Sequence, residues 1–166
     1  EFKVIQARVQ RFHAKDNTDL LNYFLQRLEE HDDDAARYAV VIAAIKNKDF
    51  NLAEQQFALL TNAFKKSLYG RLLEPELLLA KGKLSEARDI LIKLSKIYPD
   101  NAAIQFLSAE TDVKLNRPDS ASLIYRSLIE SEPTDVRAWY LLAETYGLEG
   151  NRIGVHEART EYFLLT

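Results

Sequence analysis

Apolar residues recur along this chain every three or four positions. Leu20, Leu21, Phe24, Leu25 and Leu28 make one such stripe, Ala87, Leu91 and Leu94 another, and Trp139, Leu142, Ala143 and Tyr146 a third. That spacing puts side chains on one face of an α-helix. No stretch alternates as a strand would, and no linker or low-complexity segment breaks the pattern. The stripes predict ten helices in five antiparallel hairpins, joined by short connections of the length normal between packed helices.

The hairpins also keep a common period. Ala53, Ala87, Ala121 and Val155 stand 34 residues apart. So do Lys48, Gly82, Asn116 and Gly150, where turns are expected, and Pro99 and Pro133, each just after a helical run. The stretch from Trp139 to Tyr146 spells W-x-x-L-A-x-x-Y, with Ala143 where the tetratricopeptide pattern usually has Gly. Ala53 and Phe57 supply the A-x-x-x-F of the second helix of such a unit. The chain thus resembles a tetratricopeptide array. The resemblance implies an all-α solenoid that winds as a right-handed superhelix with a concave inner wall. One repeat domain is expected over 1–166, with units at about 1–33, 34–67, 68–101, 102–135 and 136–166. Its repeat-defining packing residues are Ala53, Phe57, Ala87, Ala121, Tyr125, Trp139, Leu142, Ala143 and Tyr146. The small Ala143 admits a close neighbour, while Trp139 and Tyr146 fill space beside it.

Several places depart from the pattern. Asp19 stands where the first hairpin should carry its small residue, and terminal repeats are often atypical. Pro75 falls in the middle of a helix expected over about 68–81. Proline removes a backbone donor and crowds the preceding turn. The helix is therefore either kinked or started afresh with Pro75 in its first turn, and a kink or break near Glu74 is favoured. Ser108 and Asp112 sit where apolar residues would fit. Ile104, Leu107, Thr111 and Leu115 form an alternative stripe, as if that helix were rotated. Pro118 suits the first turn of the helix it opens.

Composition narrows the function more than the fold. The chain has 22 Lys and Arg against 25 Asp and Glu, a net charge of −3, with no basic tract to attract nucleic acid. The longest apolar run, Ala39 to Ile45, is far too short for a membrane span. There is no cysteine, so thiolate and disulfide chemistry are absent. The chain starts at Glu1, contains no Met, and keeps its helical pattern up to Thr166. An excised piece of a longer protein is therefore expected, with an open, uncapped C-terminal end suited to self-association.

Catalytic motifs are weak. His31-Asp32-Asp33-Asp34 lacks the alternating ligands, Gly and distal Glu of a calcium loop, and reads as a helix cap with favourable charge. His156-Glu157 begins an H-E-x-x-H helix, but Thr160 stands where the second His is needed. There is no G-x-S-x-G elbow and no phosphate-binding G-x-x-x-x-G-K-[ST] loop. No metal or cofactor site, and no reaction, is expected within these residues.

What remains is a surface. The 34-residue offset aligns Tyr38, Leu72, Phe106 and Tyr140 in one row of the first helices. A second row is Ile42, Glu76, Glu110 and Glu144, and a third Lys46, Ala80, Lys114 and Leu148. The candidate partner groove is Tyr38, Ile42, Lys46, Leu72, Glu76, Phe106, Glu110, Lys114, Tyr140 and Glu144. Aromatic residues beside aligned carboxylates suit an extended or helical peptide with apolar anchors and basic or amide groups. They would repel an acidic tail.

The final third carries a more specific likeness. Ala138 to Tyr146, then Gly150-Asn151-Arg152, then His156 to Thr166 (HEARTEYFLLT) resembles the closing block of the periplasmic zinc metalloproteases of the BepA type. Tyr38 to Ala43 is similar to the second repeat of that family. The resemblance implies a parent with a zinc protease domain outside this chain, so no zinc ligand carries over. It implies a bacterial periplasm, and partners among the outer-membrane assembly machinery or its substrates.

Overall fold

The structure, a computed structural model, describes residues 2–13 and 16–166, without the side chains of residues 2 and 11–13. Among the described residues there are eleven helices and no strand. The chain divides into two compact units, 1–83 and 84–166, and the division falls between the two helices of the repeat expected over 68–101.

The first unit holds α1 (Phe2–His13), α2 (Asn17–Glu30), α3 (Asp34–Lys46), α4 (Phe50–Leu59), α5 (Asn62–Lys66) and α6 (Leu68–Ala80). Its centre is α3, which packs on α1, α2, α4 and α6. Every residue from Tyr38 to Ile45 is buried. A helix enclosed on all sides has no polar face to keep, which explains the long apolar run. Asp16 is the residue that caps α2, accepting from Thr18 N at 2.7 Å and Asp19 N at 3.2 Å.

Helix α5 corrects the count of ten. Leu60 turns extended and ends α4, and the Thr61 hydroxyl caps α5 by accepting from Phe64 N at 3.2 Å. Asp34 anchors that break, accepting from Thr61 N at 2.9 Å and from its hydroxyl at 2.5 Å. The chain then packs α5 tightly on α6. A Cβ on Gly70 would lie 2.2 Å from the Phe64 carbonyl oxygen.

Helix α6 corrects one part of the reading of Pro75, the break or fresh start. It begins at Leu68 under a Ser67 cap and runs unbroken through Pro75 to Ala80. The proline forfeits one helical hydrogen bond. Pro75 is fully buried, and Leu72, Leu73, Leu77 and Leu79 of the same helix are buried too, a gain in apolar burial that opposes that loss.

The second unit holds α7 (Leu84–Ile97), α8 (Ala102–Lys114), α9 (Pro118–Ser131), α10 (Val136–Glu149) and α11 (Arg152–Leu165), each packed on the next. Phe106 and Ala109 of α8 join Ala121, Tyr125, Leu128, Ala138, Leu142, Ala143 and Ala158 in one core. Ile104 and Thr111 of α8 are buried outside that core. Helix α8 therefore buries two faces, because α7 and α9 both pack on it, and no rotation is needed. Asp112 is 5% exposed, and one of its carboxylate oxygens accepts from Arg88 Nε of α7 at 2.6 Å.

Two rows of the period acquire a physical meaning. Lys48, Gly82, Asn116 and Gly150 all adopt left-handed backbone, with φ of 62, 76, 57 and 75°. That conformation ends a helix by satisfying its last carbonyls. One residue row further, Asp33, Ser67, Asn101 and Asp135 cap α3, α6, α8 and α10, each accepting from the backbone N–H three residues on.

Candidate protein-interaction surface

In the first unit the rows of the first helices close on themselves. Arg8 of α1 donates to the Tyr38 hydroxyl and, at 2.8 Å, to Glu76 of α6. Its guanidinium lies 5.6 Å from the Tyr38 ring centroid. Burial alone would lower the Arg8 pKa, but the charge of Glu76 and the hydrogen bonds to Glu76 and Tyr38 outweigh it and raise it. Tyr38 and Ile42 are 0% exposed and Leu72 is buried. All three, expected to face a partner, are buried instead: Tyr38 and Ile42 belong to the core of the unit, where α1 packs on α3, and Leu72 is buried on α6. Glu76 and Lys46 are half-buried.

In the second unit the equivalent face is open. Tyr140 is 48% exposed, and Glu110, Lys114 and Glu144 are exposed. Tyr140 and Glu144 are four apart on α10 and share one side of it. Glu110 accepts from Lys114 at 2.8 Å on α8, and Glu144 lies 3.6 Å from Arg159 of α11. Exposed pairs of this kind hold little energy, so a partner's cation can replace either lysine or arginine. Phe106 is a correction: it is 8% exposed and packed on Tyr125, with Arg137 over its ring at 4.2 Å. Burial pushes the Tyr125 phenol up to about 12, reinforced by Glu110 and opposed by Arg137.

The packing residues lie as follows. Ala53, Ala87 and Ala121 are fully buried, and Tyr125, Leu142 and Ala143 are buried. Phe57, Trp139 and Tyr146 are half-buried. Trp139 Nε1 donates to the carbonyl of Pro133 at 2.8 Å, tying the α10 face to the proline row.

The aspartate cluster is occupied by the protein. Asp33 caps α3 and pairs with Lys3 at 3.1 Å, Asp32 pairs with Arg37, and Asp34 holds Thr61. The Ala36 N–H, then Lys3, hold the Asp33 carboxyl below the usual range. At the site of the missing zinc ligand, Thr160 donates its hydroxyl to the His156 carbonyl at 2.8 Å.

Sequence reasoning missed Arg8, Arg88 and Arg137. A signal existed for the first: counting back 34 from Tyr38 and Ile42 reaches Val4 and Arg8. The cap row at Asp33, Ser67, Asn101 and Asp135 was equally readable from the period.

The fold is all-α and of the tetratricopeptide class. The tetratricopeptide repeat family model matches residues 78–145. Among solved structures the chain is similar to TTC0263, a thermophilic TPR protein of Thermus thermophilus. That match has a TM-score of 0.79 and 19% identity, and covers 99% of this chain and 90% of that one. It is also similar to MamA, residues 41 to the end, from Desulfovibrio magneticus RS-1. Here the TM-score is 0.68 and the identity 14%, covering 98% and 94% of the two chains. No curated protein matches the chain.

Proposed function

We propose that this chain is a polypeptide-binding module whose working surface is the open face of α8 and α10. The observation that carries this is Tyr140, half exposed and on the same side of α10 as Glu144, with Glu110 in the same row on α8. An apolar anchor on the partner would cover Tyr140, and its basic or amide groups would meet the two carboxylates. No step of covalent chemistry is assigned to it. Glu110→Lys with Glu144→Lys reverses the charge of the face at exposed positions. Capture of partner polypeptides should fall about tenfold; unchanged capture removes this face from the function.

We propose further that the module serves a periplasmic zinc metalloprotease concerned with outer-membrane protein assembly and quality control, and delivers assembly factors or their substrates to it. The support is the closing block from Ala138 to Thr166, and zinc would be held by the protease domain of that parent. Zinc analysis of the parent protein, and an H-E-x-x-H helix upstream of Glu1, test this reading.

A second reading is a free-standing scaffold or self-association domain. It is favoured by the match across 90% and 94% of two solved chains. A parent sequence with no protease domain would decide for it.

A further inference from the structure

We infer that the groove between α9 and α11, floored by α10, is a second binding site, and that it takes an arginine side chain of a partner polypeptide.

The groove has a volume of about 450 Å³ and opens to solvent, on the scale of pockets that hold small ligands. Leu142 and Ala158 are buried at its base, and Trp139 and Tyr146 line it with half-buried rings. Glu130 of α9 and Glu157 of α11 stand on its two walls, both exposed, with Arg126 one turn before Glu130. Trp139, Leu142 and Tyr146 form a different stripe of α10 from Tyr140 and Glu144, so the groove and the Tyr140 face are separate surfaces.

Both rings are held in place. Trp139 Nε1 is engaged by the Pro133 carbonyl at 2.8 Å. Tyr146 lies against the bare backbone of Gly154, where a Cβ would come within 2.6 and 2.8 Å of two of its ring carbons. Rings fixed before a ligand arrives lose less freedom on binding it, and their faces attract a cation.

The chain itself shows what fits. Three periods before Trp139 and Ala158 stand Arg37 and Gln56. There Arg37 of α3 donates to Gln56 Oε1 of α4 at 3.0 Å and pairs with Asp32, and its side chain is only 17% exposed. In the first unit the equivalent place thus holds a guanidinium of the chain. At the last hairpin Trp139 replaces that arginine, and Ala158 shortens the wall where Gln56 reaches out. The place is left open to a guanidinium from outside.

Charge selects the same occupant. Among the described residues, the side chains of Glu130, Glu157 and Arg126 make no ion pair or hydrogen bond. Two carboxylates against one guanidinium leave the groove with a net charge of −1. The planar fork of an arginine can stack on a ring and donate to carboxylates at once, whereas an ammonium is a point charge that does not stack.

Trp139 is the one tryptophan of the chain, so its fluorescence reports on the groove directly. Titration with the peptide acetyl-Ala-Ala-Arg-Ala-Ala-amide should shift the emission to saturation. Citrulline in place of the arginine keeps its shape without its charge and should weaken binding about tenfold, and lysine about threefold. Glu130→Gln with Glu157→Gln should weaken binding of the arginine peptide about tenfold, and Arg126→Gln should tighten it about twofold. An emission that never saturates overturns the inference. So does a citrulline or lysine peptide that binds as well, a double variant that binds unchanged, or weaker binding by Arg126→Gln. If the double variant loses its helical circular dichroism, Glu157→Gln alone replaces it. Glu110→Lys with Glu144→Lys should leave this titration unchanged, so failure of the groove and failure of the Tyr140 face are distinguishable.

Discussion

The two units place the same row of residues in opposite circumstances. In the first, Tyr38 and Ile42 are fully buried, and Arg8 binds Tyr38 and reaches on to Glu76. In the second, Tyr140 and Glu144 stand in the same rows and face solvent. Their phase within the repeat is identical. What differs is the neighbouring side chain: α1 brings a long cation that joins Tyr38 to Glu76, whereas Glu110 and Glu144 pair with exposed cations in weak ion pairs. Position in a repeat fixes which way a residue points, and the next helix decides whether that direction leads to core or to surface.

The largest effect that could break this contrast is expected at Gly70, since the first unit depends on the close approach of α5 to α6. Gly70→Ala puts a methyl group into the Phe64 backbone and should cost about 3 kcal/mol in urea unfolding. A neutral result would mean that α5 does not hold the unit closed.

Next come the two arginine clasps. Arg88→Ala strips the partner from the buried Asp112 and should cost about 2 kcal/mol. Arg8→Ala, whose partner Glu76 keeps an 11% exposed side chain, should cost about 1 kcal/mol and make Tyr38 accessible to solvent quenchers. If Arg8→Ala leaves Tyr38 protected, the clasp is not what seals the first unit.

The turn row gives a smaller and stabilising effect. Lys48 and Asn116 hold left-handed backbone at a cost that Gly82 and Gly150 do not bear. Lys48→Gly should raise stability by about 1 kcal/mol, and Asn116→Gly by less, since Asn tolerates this conformation better than Lys.

The smallest effect is a pH dependence confined to the second unit. The folded pKa of Tyr125, about 12, lies above the ordinary 10.0. A raised pKa contributes stability that is complete below pH 10 and is lost as pH rises through about 12. Stability should therefore fall across that window, and Tyr125→Phe should flatten the fall.

Much of this molecule was legible in the sequence because the period is carried by residues with a single physical task. Ala53, Ala87 and Ala121 must be small where helices cross, and all three are fully buried. Lys48, Gly82, Asn116 and Gly150 must turn left-handed, and all four do. The candidate surface was legible only in part. Tyr140, Glu110 and Glu144 are exposed as expected, while Tyr38, Ile42, Leu72 and Phe106 are not.

The sequence by itself determined the long helices and their phase, because these rest on interactions between residues three or four apart and on conformations set by a single residue. Tertiary structure alone decided the rest: that Pro75 stays within an unbroken helix, that Asp112 finds Arg88 across 24 positions, and that Arg8 closes over Tyr38 and Glu76, 30 and 68 positions away. A side chain long enough to reach a neighbouring helix satisfies a charge that no local pattern records, so burial at such positions is fixed only when the helices meet.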